Sequence, residues 1–249
     1  MIMNILMVVL GIASVIGIHE ASHMLVSKFF GIKVLKFSLG FGPILLSKTI
    51  NETSYELRLL PLGGFVSCAG EDPEMNVERG FFSVSWWKRS LIALAGPVAN
   101  LILGFVMIFV LLVLFKGWPI LQGLGRAYTI SSMAITETLK ALGGMIGHTV
   151  PASQLSGPIM VTKLLASSVK EGIAQFLFVL AIISLSLGLF NLVPCPGLDG
   201  GHVILYFGEF LYGRKFSTKV YIMWSYIGIL LLVSLMLFTC YLDIVKLLH

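Results

Sequence analysis

Four runs of about 20 mainly apolar residues take up most of this chain, and each is long enough to cross the hydrocarbon core of a bilayer. They lie at about Ile2–Phe29, Leu91–Phe115, Gly172–Val193 and Val220–Tyr241. Composition agrees, with 57% hydrophobic and only 12% charged residues. A soluble domain carries roughly 45–50% apolar and about 25% charged residues, so this chain could not furnish a water-facing surface. The sequence therefore predicts an α-helical polytopic membrane protein with about four transmembrane helices, all in one membrane-embedded domain covering residues 1–249. The first run has no basic leader and no small-residue cleavage site, so a removable signal peptide is not expected.

The net charge of +5 does not point to nucleic acid, because the 17 Lys and Arg fall mostly between the apolar runs. The segments after the first and third runs hold 11 of them, including Lys28, Lys33, Arg58, Arg79, Lys88, Arg89 and Arg214, against 6 on the other side. The positive-inside rule then puts the basic segments in the cytoplasm and both termini outside. Within the first basic segment, Tyr55-Glu56-Leu57-Arg58-Leu59 alternates apolar and polar, the mark of a half-buried strand. Pro61, Gly63 and Gly64 interrupt it, and Phe65-Val66-Ser67-Cys68 runs on as a second extended piece. Phe37 to Pro43 reads as a further short strand with a glycine turn. A small membrane-associated β-sheet over about residues 33–68, on the cytoplasmic side, is the expectation. Between the second and third runs, an amphipathic helix is expected near Ser132–Met145.

His19-Glu20-Ala21-Ser22-His23 lies in the second half of the first run. On a helix, residues four apart share one face, so the two imidazoles can converge on one Zn²⁺ while Glu20 stands beside it as a base. Ionisable residues inside an apolar helix are costly, which makes three within five positions a functional signal. A catalytic zinc takes three protein ligands. The third candidate is Asp199, in Asn191-Leu-Val-Pro-Cys-Pro-Gly-Leu-Asp199-Gly200-Gly201-His202, where prolines and glycines break the third run. Broken backbone at membrane depth is tolerated where it lines a protein cavity, and a metal there accounts for both the break and the charge. His202 reads better as a residue facing a neighbouring helix, His148 and His249 as solvated, and Cys68, Cys195 and Cys240 as small apolar fillers. Trp86 and Trp87 read as an interfacial anchor.

These stretches resemble the site-2 protease family of intramembrane zinc metalloproteases, in its bacterial RseP-like type. The matches are His19 to His23, Phe37-Ser-Leu-Gly-Phe-Gly42, Leu60-Pro-Leu-Gly-Gly64, Ala95-Gly-Pro-Val-Ala-Asn100, Leu155-Ser-Gly-Pro158 and Asn191 to His202. The resemblance implies one Zn²⁺ held by His19, His23 and Asp199, with Glu20 as catalytic acid/base. It implies that Asn191 supports the substrate or its oxyanion, and that the strand with Gly63, Gly64, Phe65 and Val66 holds substrate. Implied partners are transmembrane proteins, such as single-span anti-sigma factors or signal-peptide remnants, in a bacterial inner membrane. Members of this type carry one or two PDZ domains between spans two and three, whereas here only Lys116–Ile130 precedes the stretch that resembles the post-PDZ region, too few residues for a domain. Two other readings use the same residues: a zinc transporter, for which Glu20 would be superfluous, and an inactive scaffold, which would be free to lose any of the set.

Overall fold

A computed structural model describes residues 2–147 and 157–248. His148, His249 and the Leu155-Ser156 part of one motif lie outside the described residues. In chain order come α1 (Ile2–Phe29), β1 (Val34–Ile50), β2 (Thr53–Cys68), α2 (Trp86–Val110, continued by a π turn over Leu111–Phe115), α3 (Ile120–Ile146), α4 (Pro158–Glu171), α5 (Ile173–Asn191), α6 (Asp199–Tyr212) and α7 (Thr218–Leu248). Four helical stretches are long and apolar enough to cross a membrane: Met3–Phe29, Trp86–Phe115, Ile173–Asn191 and Thr218–Leu248. The chain is read accordingly as an integral membrane protein. The helix expected near Ser132–Met145 starts a full three turns earlier, at Ile120 behind Pro119. Only Lys116–Pro119 joins the end of α2 to α3.

The chain forms two compact units. One comprises residues 1–11, 100–190 and 230–249, and the other residues 12–99 and 191–229. In the first, the core is built from Ile108, Ala127, Ala181 and Leu185. Gly104 lets α2 and α5 come close, since a Cβ there would lie 2.6 Å from Leu185. Asp243 of α7, fully buried, receives the backbone N–H groups of Gly157 (2.9 Å) and Met160 (3.0 Å). Its carboxylate thus caps the N-terminus of α4, where four N–H groups lack helical partners.

In the second unit, Met24, Ile32, Val34, Cys68 and Ile92 pack α1, the sheet and α2 together. The sheet is antiparallel, with each long strand used twice. Ile44–Ile50 pairs with Thr53–Arg58 around Asn51, whose φ of 52° a short amide side chain tolerates. Val34–Leu39 pairs with Gly64–Cys68, and Lys36–Leu39 also lies beside Ser54–Leu57. The bend that allows this falls at Gly40 and Gly42, both at positive φ. Gly63 and Gly64 do not interrupt β2, which is continuous to Cys68. Extended backbone accommodates them, and the reason for glycine there is close approach.

Arg89, which the charge count places among the cytoplasmic cations, is buried. Its guanidinium donates to Glu209 on α6 at 2.5 Å and lies between the rings of Phe82 (4.7 Å) and Tyr206 (4.8 Å). Glu209 also accepts from the Tyr221 hydroxyl (2.7 Å) and the Phe216 N–H (2.8 Å). This ionic and aromatic knot fastens α2, α6 and α7 within the unit. Trp86 itself packs on Phe210 at 4.7 Å, so it is part of the fold as much as an anchor. The Cys68 thiol is buried and pushed up to about 11 by burial, in keeping with a filler.

Candidate metal centre

His19 and His23 project from one face of α1, one turn apart, with ring centroids 4.8 Å apart. Asp199 arrives in the first turn of α6. Its Oδ2 stands 3.0 Å from His19 Nε2 and 3.6 Å from His23 Nε2. One ligand atom from each of the three residues lies within 4.8 Å of the others. All three belong to the same compact unit. The structure therefore unites the residues that the sequence singled out, although they lie 180 positions apart.

Local chemistry fixes each of them. The other ring nitrogen of His23, Nδ1, donates to the Ile92 carbonyl at 2.7 Å. That hydrogen bond selects the tautomer that leaves Nε2 with a free lone pair, as in metal sites generally. Asp199 is set by the turn that joins α5 to α6. Gly197 adopts a φ of +85°, and Leu198 N–H returns to the Cys195 carbonyl at 3.2 Å. A Cβ on Gly200 would collide with the Leu192 carbonyl, and one on Gly201 with that of Cys195. The glycines after Asp199 thus let the turn fold back onto the start of its own helix. Gly96 of α2 closes the site: a Cβ there would overlap Nε2 of both histidines. The two imidazoles and the carboxylate converge where α2 presents bare backbone, and two nitrogens with one oxygen are a zinc-type donor set. These residues fit the metal.

Glu20 is half-buried on the same helix, within electrostatic reach of His19, His23 and Asp199. A Cβ on Gly64 would lie 2.8 Å from Glu20 Cγ, so strand β2 runs directly past this carboxylate. One on Gly63 would strike the Phe41 ring. Phe65 and Val66 follow, half-exposed, each with one strand partner, Ser38 and Phe37 respectively. Asn191 ends α5 and is half-buried. Among the described residues its side chain shows no hydrogen bond to the histidines or Asp199. His202 stacks on Tyr206 of its own helix α6, with centroids 6.2 Å apart, rather than on a neighbouring helix.

Sequence reasoning missed Ile92, Gly96, Arg89 and Glu209. Ile92 acts through its backbone carbonyl, which leaves no mark in a residue pattern, and Gly96 lay within the Ala95–Asn100 motif without its contact role being legible. Glu209 did carry a signal, a lone acid in an apolar helix.

Comparison with known proteins gives the same picture. The model of Peptidase family M50, the site-2 protease family, matches residues 7–235. Similar proteins include one from Campylobacter jejuni, 26% identical over 95% of this chain and 92% of its own length, and one from Clostridium acetobutylicum, 25% identical over 97% of each. A Thermotoga maritima protein is 36% identical over 42% of this chain and 22% of its own. All three bear provisional zinc-metalloprotease names. The Campylobacter alignment spans 337 positions, more than the 249 residues here, so that relative contains in-line residues without a counterpart in this chain.

Proposed function

The chain belongs to Peptidase family M50, and from that premise we propose that it is an intramembrane zinc endopeptidase that hydrolyses peptide bonds in or near transmembrane segments. The whole chain acts as one metalloprotease domain without PDZ modules. The observation that carries the reading is the convergence of His19, His23 and Asp199 beside Glu20, with strand β2 alongside. One Zn²⁺ bound there would acidify water and polarise the scissile carbonyl. Glu20 accepts the proton of the attacking water and returns it to the leaving amine. His23, held by the Ile92 carbonyl, and Asp199, held by the α5–α6 turn, keep the ligand atoms in place.

A substrate helix must unwind before its carbonyl is accessible. The outer edge of Gly64–Cys68 pairs with the unwound peptide by strand addition and holds it extended across Glu20. Asn191 supports the substrate or its oxyanion. The excess of basic residues in the segments after α1 and between α6 and α7 supports an orientation with both termini outside a bacterial inner membrane. Single-span membrane proteins, such as anti-sigma factors or signal-peptide remnants in regulated intramembrane proteolysis, are the substrate class.

The test is cleavage of a model transmembrane substrate by purified chain in liposomes, with and without a chelator. Cleavage that stops on chelation and returns with Zn²⁺ is the expected result. No cleavage with zinc bound would point to a scaffold, and zinc flux across the liposome without cleavage to a transporter.

A further inference from the structure

The unit that lacks the metal centre contains a groove of about 420 Å³, within the range of small-ligand sites. Its lining is largely apolar, with Leu111, Leu112, Ile130 and Phe178, and its polar members are Lys116 and Glu171 at the mouth together with Gln175. The depth of these residues in a bilayer follows from the spans. Lys116 is the first residue after the span Trp86–Phe115, and Glu171 stands two residues before the span Ile173–Asn191. Both charges therefore lie where the helices leave the hydrocarbon, while the apolar walls run inward from them.

The helix is also altered at this point. Leu111–Phe115 forms a π turn, closed by Lys116 N–H donating to the Leu111 carbonyl at 3.2 Å. The π turn ends the helix and sets Lys116 at its C-terminal edge. The two charges at the mouth are exposed, and neither forms an ion pair among the described residues, not even with the other. An apolar groove within the bilayer does not stay filled with water, because apolar surface is expelled from it.

We infer that this groove holds one acyl chain of a phosphatidylethanolamine-type phospholipid, with the lipid phosphate on Lys116 and its ammonium on Glu171. Charge complementarity selects the headgroup. A separated cation and anion at one mouth match a zwitterion. An anionic lipid such as phosphatidylglycerol would meet Glu171 as a like charge. A choline headgroup carries no N–H to donate to the carboxylate. The site does not depend on the metal centre or on the proposed activity.

The test uses the whole chain in nanodiscs of equimolar phosphatidylethanolamine, phosphatidylglycerol and phosphatidylcholine, followed by detergent release and native mass spectrometry. One phosphatidylethanolamine retained per chain is the expected result. Lys116→Gln and Glu171→Gln should each lower that retention about fivefold, in line with about 1 kcal/mol per charge near a membrane surface. Leu112→Trp should fill the walls and remove the lipid, with the helical circular dichroism unchanged in all three variants. Equal retention of the three lipids, a preference for phosphatidylglycerol, or retention unchanged in the folded variants would each overturn the assignment.

Discussion

At Gly96, α2 passes so close to His19 and His23 that no side chain fits. Gly96→Ala should leave the helices formed and empty the metal site, so metal analysis should fall from about one zinc per chain toward none while circular dichroism is retained. Full zinc content in that variant would refute the packing argument. Glu20→Gln keeps shape and removes the base, so cleavage should fall at least about 10²-fold with zinc still bound. Asp199→Asn weakens a ligand instead, and its defect should appear first as a lowered zinc affinity in equilibrium dialysis. Unchanged cleavage and unchanged zinc in both variants would mean that the site lies elsewhere. The ligand set was legible in sequence because helical spacing and a lone acid in a broken apolar run are local features. Gly96 stood in a recognised motif, but its role depends on contact with a helix far back in the chain, which no local pattern records.

Among the elements, β2 departs most from its sequence pattern. Pro61 and the two glycines read as an interruption, yet the strand continues, since the hydrogen bonds of Val34–Leu39 to Gly64–Cys68 are long-range partners that propensity does not see. N–H groups alternate in direction along a strand, so one of Phe65 and Val66 offers its donor to the open edge. Proline at that position should lower cleavage about threefold to tenfold, the worth of one backbone hydrogen bond, with the chain still folded. Turnover unaltered across a proline scan of residues 62–68 would rule out substrate pairing at this edge. The Arg89–Glu209 pair makes a different prediction. Glu209→Ala leaves a buried cation without its partner and should destabilise by about 3–5 kcal/mol. Replacing both members, Arg89→Met with Glu209→Leu, should recover part of that loss in thermal unfolding. A single variant as stable as the parent would show that the pair carries no weight. The first and third spans were legible to within two residues from hydropathy alone, while the second starts five residues earlier and the fourth ends seven later than expected. The knot was not legible, because an arginine beside a tryptophan pair looks like any interfacial cation.

For the molecule as a whole, the four-residue join between α2 and α3 leaves no place there for an inserted domain. Substrates sharing one transmembrane segment but bearing external domains of increasing size should therefore be cleaved at rates that change little. A decline as steep as in a relative with PDZ domains would show that another part of this chain filters by size. Whatever admits the substrate, the kinematics of the fold limit how it happens. Turning α2 by one residue, a screw of about 100° and 1.5 Å, would bring the methyl of Ala95 or the ring of Pro97 to where Gly96 now clears the two histidines. That one missing side chain therefore sets the rotational position of α2 against α1, so the helix fits its slot as a key does, in a single orientation.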